Sequence, residues 1–365
     1  MGNRQQNLAA IYLKNFLIAN KMMVLKLPGV FCFIFLLVLS TEAKEIPSTV
    51  DVSILGIFHP RHIRVEGKDT FDIILKEDII NVNGERKREF FSLENPTIEL
   101  PGKIKRTYRG IVKVFPNGGE LLIINKVKIA DYLTSVVGAE MGDGPYEAQK
   151  AQAIVSRTFL VKNLHRHKDF DFCDLTHCQV YKGKESETAL SKKAVNETNG
   201  IVLLNGNKVA DVYYHSTCGG KTADLNSIFD KKNTSIISVS DSSYCQASPY
   251  YHWDWKLSIK DAPFNKIKII KRAADGRVTL IEVDGKREKG WQFRMKIARK
   301  YGWNTLKSSW FYIRKDEKYF YFHGRGLGHG LGMCQWGAKG MASKKKKADE
   351  ILKHYFPKLR LCKIY

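Results

Sequence analysis

"PYEAQKAQAIVSRTFLVKNLHRH", Pro145 to His167, is where the hydrophobic period of the chain changes. Ala148, Ala151, Ile154, Val155, Phe159 and Lys162 fall near one another at the three-to-four residue spacing of a helix. Pro145 stands where a helix tolerates proline, at its start. The spacing predicts a buried helix from about Tyr146 to Leu164. Immediately upstream the period is two. "YRGIVKVFPNGGELLIIN", Tyr108 to Asn125, holds two strand-like runs around "PNGG" and reads as a hairpin. From Val50 to about Leu100, short alternations ("VDVSILGIF", "HIRVEG", "FDIILKED") read as antiparallel strands.

The same mixture continues downstream. "SETALSKKAVNETNG" is helical and ends at Gly200 as a C-cap should. "IVLLNGNKVADVYYHS" turns at "NGN", a hairpin signal. From about Trp253 to Phe322 lies strand-rich sequence with turns at "ADGR" and "VDGK" and one helix around "GWQFRMKIARKYG". "ADEILKHYF" closes the chain as an amphipathic helix, after a lysine run at 344–347 that reads as a solvated face. Helices and antiparallel strands intermingle without regular βα alternation, so the class is α+β. The expected organisation is a strand-rich region at 44–105 and a main domain at 106–365. An insert at about 245–322 forms a second lobe of the main domain.

The chain has 365 residues with 60 Lys and Arg against 37 Asp and Glu, a formal charge of +23. Such a surplus points to an anionic partner, either nucleic acid or an acidic membrane or wall. The N-terminus separates these. Lys21 and Lys26 precede the apolar run Leu27 to Ser40, and small residues follow in "TEAKE". That is a signal peptide with a cut after Ala43, or an uncleaved membrane anchor, and residues 1–20 form an upstream extension. Removing 1–43 leaves 56 basic against 36 acidic side chains, so the exported chain stays near +20. Export to the envelope argues against a nucleic-acid partner and for a wall polymer. Of seven cysteines, Cys32 lies in the leader, and the other six allow 15 disulfide pairings.

Several residues can carry chemistry. Glu140 stands among Val136, Val137, Gly138, Ala139 and Met141. Apolar surroundings raise a carboxyl pKa and suit it to general-acid work. The competing reading is a helix-cap acid satisfying free N–H groups. A serine nucleophile finds no support, since His215 and Ser216 adjoin each other without a G-x-S-x-G elbow. His167, Cys173, His177 and Cys178 bring four nitrogen or sulfur ligands within twelve residues, which suits a structural zinc. A Cys173–Cys178 disulfide with surface histidines is the alternative. Finally, glycine recurs at every second position from Gly324 to Gly332. As extended chain this row presents bare backbone on one face, either to a ligand or to another segment of the protein.

"GAEMGDGPYEAQKAQAIVSRTFL", "DLTHCQVYKGKESE", "AVNETNGIVLLNG", "YYHSTCGGKT" and "GRGLGHGLGMCQWGAKGMA" occur in the order typical of the sporulation stage II protein D family of bacterial cell-wall proteins. The resemblance runs from about Tyr108 to the C-terminus and is poor across 245–322. It implies a lytic transglycosylase that cleaves peptidoglycan between N-acetylmuramic acid and N-acetylglucosamine, preferably on strands stripped of stem peptides. Glu140 falls on the family's catalytic acid. Arg157, Thr176, Gln179 and Tyr181 fall on its substrate-binding blocks, with His215, Ser216, Gly219, His329 and Gln335 as further substrate-binding candidates. Under this reading the Gly324–Gly332 row is a cleft wall for flat sugar rings. Two departures stand out: Gly142 replaces the family's usual proline, and an aromatic–proline pair is reduced to "GPY". The loop holding Glu140 is therefore expected to be shaped differently. The alternative function is a non-catalytic glycan-binding protein that stimulates a cell-wall amidase.

Overall fold

The period-two runs of the N-terminal region point alternate residues inward: Ile63 and Val65, Ile73 and Leu75, Ile80 and Val82, and Ile98 and Leu100 are all buried. They belong to a six-stranded antiparallel sheet, ordered 85–87, 79–82, 70–76, 62–66, 97–100 and 104–107. The computed structural model describes residues 46–92, 94–229, 235–241 and 243–365, and the leader or anchor expected at 1–43 lies outside them. Among the described residues no helix is long and apolar enough to cross a membrane.

Strand pairing crosses the expected boundary near 105. Thr49–Ser53 pairs with Glu120–Lys128, and Phe90–Phe91 pairs with Ile111–Asn117. These strands, with Phe172–Cys173 in parallel beside Thr49–Ser53, make one five-stranded sheet. The predicted hairpin is its centre, with Asn117 opposite Glu120 and Gly118 and Gly119 in the turn at positive φ. A single hydrophobic core runs from Val50 through Val195.

From this sheet the chain enters helix α1, Ile129–Met141, then α2, Tyr146–Lys162. The second matches the expected helix to within two residues at its C-terminal end. Helix α3, Ala189–Glu197, is capped by Thr188, whose hydroxyl accepts from Ser191 N–H, and Gly200 follows at φ 73°. The "NGN" hairpin forms between Ile201–Asn205 and Lys208–Val209, and the C-terminal strand Arg360–Lys363 adds to its other edge. A short helix α4 spans Leu225–Phe229.

The insert has its own core of Phe264, Phe293, Phe311, Phe320 and Phe322 beneath helix α5, Gly290–Tyr301. Two three-stranded sheets enclose it, and the "ADGR" and "VDGK" turns join the strands of one. Arg277 ties this lobe to the main body. Its guanidinium donates to the carbonyls of Cys218 (2.9 Å) and Lys221 (3.0 Å) and lies 3.3 Å from Asp275.

The glycine row corrects the cleft-wall expectation. The strand ends at Arg325, and Gly326, Gly328, Gly330 and Gly332 have φ of 78°, 109°, 86° and 67°. Left-handed backbone is open to glycine and strained for other residues. A β-carbon on Gly324 would strike the Trp253 indole, one on Gly330 the Arg277 guanidinium, and one on Gly332 the Tyr213 carbonyl. The bare backbone receives the protein itself, not sugar. The chain then runs through α6, Gln335–Ser343, and α7, Ala348–Tyr355, into the C-terminal strand.

Candidate active site

Glu140 lies in the last turn of α1, ahead of the loop where sequence reasoning placed it. The helix is buried on most sides, so no amphipathic period marks it. Gly142 ends it at φ 52°, ψ −133°, its N–H donating to the Gly138 carbonyl. Proline holds φ near −65°, so this course is closed to the residue usual in the family.

The half-buried Glu140 carboxylate meets three donors from distant segments. Val180 N–H and the Tyr214 hydroxyl donate to Oε1, each at 3.1 Å, and Gln335 Nε2 donates to Oε2 at 3.0 Å. One strand register delivers two of them: Tyr214 pairs in parallel with Met333 and His215 with Cys334, which sets Gln335 at the first residue of α6 beside Tyr214. Burial pushes the Glu140 carboxyl above its ordinary range, against the lowering pull of Gln335, Val180, Tyr214 and Lys182. The result is a carboxyl that holds a proton unusually well and whose anion is already solvated by protein donors.

A buried amide layer supports this set. Gln335 Nε2 also reaches Gln152 Oε1 at 3.5 Å, and Gln152 Nε2 donates to Ser156 Oγ at 3.0 Å. Gln179 is fully buried and accepts from the Tyr132 hydroxyl at 3.4 Å. Tyr214, Gln152 and Tyr132 were not singled out in the sequence. Gln149 and Gln152 between alanines on a buried helix were the available signal.

Other candidates sit elsewhere. Arg157 is 1% exposed and is turned into the core, donating to Val195 O (3.0 Å), Thr198 Oγ1 (3.3 Å) and Ile201 O (3.3 Å). It closes the C-terminal end of α3 and touches no group of the Glu140 set, which corrects its reading as a substrate contact. Tyr181 is buried and donates to Asn125 Oδ1 at 2.6 Å, so it too belongs to the core. Thr176 is exposed in the turn between the two cysteines. His215 and His329 face each other at 5.7 Å between ring centroids. Burial pushes His329 down to about 4 and His215 well below its usual range, so both are neutral imidazoles at neutral pH. Ser216 accepts the Trp336 N–H through its carbonyl at 3.1 Å, and Gly219 at φ 78° makes room for Arg325. An open depression on the insert, lined by Ile267, Ile269, Tyr312 and Phe320, shares no residue with this chemistry.

The four expected zinc ligands do converge, their ligand atoms all within 4.8 Å of one another. His167 Nε2 is 3.3 Å from Cys178 Sγ, and His177 Nδ1 is 3.7 Å from Cys173 Sγ and 3.6 Å from Cys178 Sγ. With Zn–N near 2.05 Å and Zn–S near 2.3 Å, a tetrahedral edge between nitrogen and sulfur is about 3.6 Å. The residues therefore fit a zinc ion. The hydrogen bond between the two thiols pushes Cys173 down and Cys178 up, so the pair shares one proton with the thiolate on Cys173. All six cysteines among the described residues are unbridged.

Comparison with known proteins agrees with the blocks read in the sequence. The family model described as Stage II sporulation protein, SpoIID, matches residues 117–204, and a domain of unknown function, DUF8618, matches 247–332 across the insert. An uncharacterized protein of Brachyspira hyodysenteriae is 31% identical over 271 residues, covering 68% of this chain and 70% of that protein. Stage II sporulation protein D of Bacillus subtilis is 28% identical over 261 residues, 64% of this chain and 74% of that protein. The amidase enhancer of Bacillus subtilis is 25% identical over 269 residues, 58% of this chain and 37% of that protein. The chain belongs to the SpoIID family of stage II sporulation proteins.

Proposed function

We propose that this protein is a peptidoglycan lytic transglycosylase with Glu140 as its single catalytic acid and base. Family membership supports a role at the cell wall. The observation that carries the finer reading is the Glu140 carboxyl, raised by burial yet flanked by three donors that receive its anion. Protonated Glu140 gives its proton to the glycosidic oxygen as the bond from C1 of N-acetylmuramic acid breaks through an oxocarbenium-like state. Val180 N–H, Tyr214 and Gln335 then hold the carboxylate. It takes the proton of the muramic acid 6-hydroxyl, whose oxygen closes onto C1. The product carries a 1,6-anhydro ring, Glu140 is again protonated, and no water and no second carboxylate take part. Substrates are glycan strands, preferably those without stem peptides.

One zinc held by His167, Cys173, His177 and Cys178 has a structural part in this proposal. It fastens the segment that leads into Gln179 and Val180, the latter a donor to Glu140. The second reading, a glycan-binding stimulator of an amidase, draws on the likeness to the amidase enhancer. The two separate in a wall-digestion assay. A transglycosylase shortens peptide-free strands alone, whereas a stimulator releases material only when an amidase is added.

The donors to Glu140 give a pH prediction. General-acid activity needs the protonated form, so kcat/KM is present below the Glu140 pKa and lost as pH rises through it. Gln335 and Tyr214 lower that pKa by bonding the anion. Gln335→Ala and Tyr214→Phe are therefore expected to move the alkaline limb to higher pH while reducing kcat. An alkaline limb unchanged in both variants would remove these bonds from the titration.

Charge gives another. With the exported chain near +20, retention on intact walls is expected to fall steeply between about 0.05 and 0.5 M salt as the Debye length shrinks from over 10 Å to a few ångströms. Co-sedimentation across that range reads it. Retention independent of salt would assign the affinity to the site and leave the basic surface without a part in it.

A further inference from the structure

A second cluster of soft ligands lies behind the active site, built from residues far apart in sequence. Cys218, Asp241, Cys245 and Cys334 are all buried, and their ligand atoms lie within 4.8 Å of one another. We propose that these four residues form a closed, structural site for one tetrahedral divalent metal ion of the zinc class.

The geometry is that of a single ion. Cys218 Sγ is 3.4 Å from Cys245 Sγ and 3.2 Å from Asp241 Oδ2. The sulfur–sulfur edge of a tetrahedron with Zn–S near 2.3 Å is about 3.8 Å, so small movements seat the metal. An iron–sulfur cluster spreads its ligands over two or more irons bridged by sulfide, whereas all four ligand atoms here lie within 4.8 Å of one another, as around one ion.

The surroundings are those of ligands, not of idle thiols. Backbone N–H groups point at the sulfurs: Cys218 N–H to Cys334 Sγ at 3.2 Å, Gly337 N–H to Cys334 Sγ at 3.3 Å, and Gly220 N–H to Cys218 Sγ at 3.4 Å. Such donors stabilise thiolate charge around a metal. Tyr355 donates to Asp241 Oδ1 at 2.9 Å, which fixes the carboxylate and leaves Oδ2 toward Cys218. A β-carbon on Gly337 would fall on that carboxylate and on the Tyr355 hydroxyl.

Charge balance points the same way. Asp241 is 0% exposed, and among the described residues the one basic side chain within 4.0 Å of it is the His354 imidazole, its Nε2 4.0 Å away. A buried carboxylate against three thiols, with so little positive charge nearby, is costly as an anion unless a proton or a cation joins it. A disulfide would use two of the three cysteines and leave the carboxylate to a proton. A metal uses all four groups. It would pin the "STCGG" turn, the turn at Cys245 and the start of α6 together, one residue from Gln335.

The test is the metal content of purified protein, with Cys178→Ser removing the His167 set. The expected result is two zinc per wild-type chain and one retained in Cys178→Ser, lost when Cys245→Ser is added. A metal-free Cys178→Ser protein would overturn the site. Should that variant not fold, native wild-type protein decides by metal analysis beside a thiol count in denaturant and chelator. Two zinc with Cys218, Cys245 and Cys334 all free supports the site. No zinc, one zinc with Cys173 and Cys178 also free, or a disulfide between any two of those three overturns it. Because no glycan enters the assay, the outcome is independent of the transglycosylase reading.

Discussion

Glu140→Gln is expected to lower glycan cleavage by about 10³-fold or more while leaving glycan binding within a few-fold of wild type. The amide keeps the shape of the side chain and can still accept from Val180 N–H and Tyr214 through its oxygen. It cannot deliver a proton to the leaving oxygen or recover one from the 6-hydroxyl, so both halves of the reaction fail together. Because Glu140 is only half-buried and its backbone sits in a well-packed helix, the variant should fold. Its thermal unfolding is expected to match wild type or lie slightly above it, since the change removes a partly desolvated carboxylate. Turnover by Glu140→Gln at the wild-type rate would transfer the chemistry to another residue.

Cys178→Ser is the substitution with the next largest effect. Cys178 is buried, touches His167 and His177 through its sulfur, and receives the Cys173 N–H at 3.4 Å. Its loss is expected to remove the zinc of that set and to destabilise the protein by several kcal/mol, because metal binding free energy is folding free energy where the ligands converge only in the folded chain. The damage should spread in both directions. Cys173 pairs with Ser53 in the five-stranded sheet, and Gln179 and Val180 lead straight to Glu140. Thermal unfolding with and without a zinc chelator measures it: the wild-type protein loses stability on chelation, and the variant does not respond. If instead reductant destabilises the wild type and chelator does nothing, Cys173 and Cys178 form a disulfide and the histidines are surface groups.

Local period carried much of the fold. The hairpins at "PNGG" and "NGN", the helix from Tyr146 and the strand-rich insert follow from alternation, turn residues and helical spacing, and each forms where those signals lie. Helix α1 did not show, because a segment buried on most sides has no polar stripe to set its phase. The glycine row misled for a related reason. Its period of two suggested an extended strand, yet positive φ is a backbone property that glycine permits without announcing. Pairing across the expected boundary near 105 was not legible because it is non-local: Thr49–Ser53 finds its partner some seventy residues downstream, at Glu120–Lys128.

The site divides along the same line. Glu140 and the His167 to Cys178 set are compact in sequence, so residue types raised both, each beside a competing reading, and it was the family blocks that singled out Glu140. Arg157 kept its position but not its expected contact, since a charged side chain on a helix gives no sign of whether its guanidinium faces solvent or caps a neighbouring helix. Tyr214, Gln152 and the cysteine cluster at 218, 245 and 334 become a site only through the parallel pairing of Tyr214–His215 with Met333–Cys334, a contact across more than a hundred residues.

The most direct test of Glu140 as acid and base is the mass of the sugar ends left by the wild-type protein acting on peptide-free glycan strands. A lytic transglycosylase adds no water, so the new N-acetylmuramic acid ends must be 1,6-anhydro, and Glu140→Gln must produce none. Ends heavier by one water would make the enzyme a hydrolase needing a second catalytic group. No new ends from wild-type protein, in an assay where a known transglycosylase cleaves the same strands, would contradict the account outright.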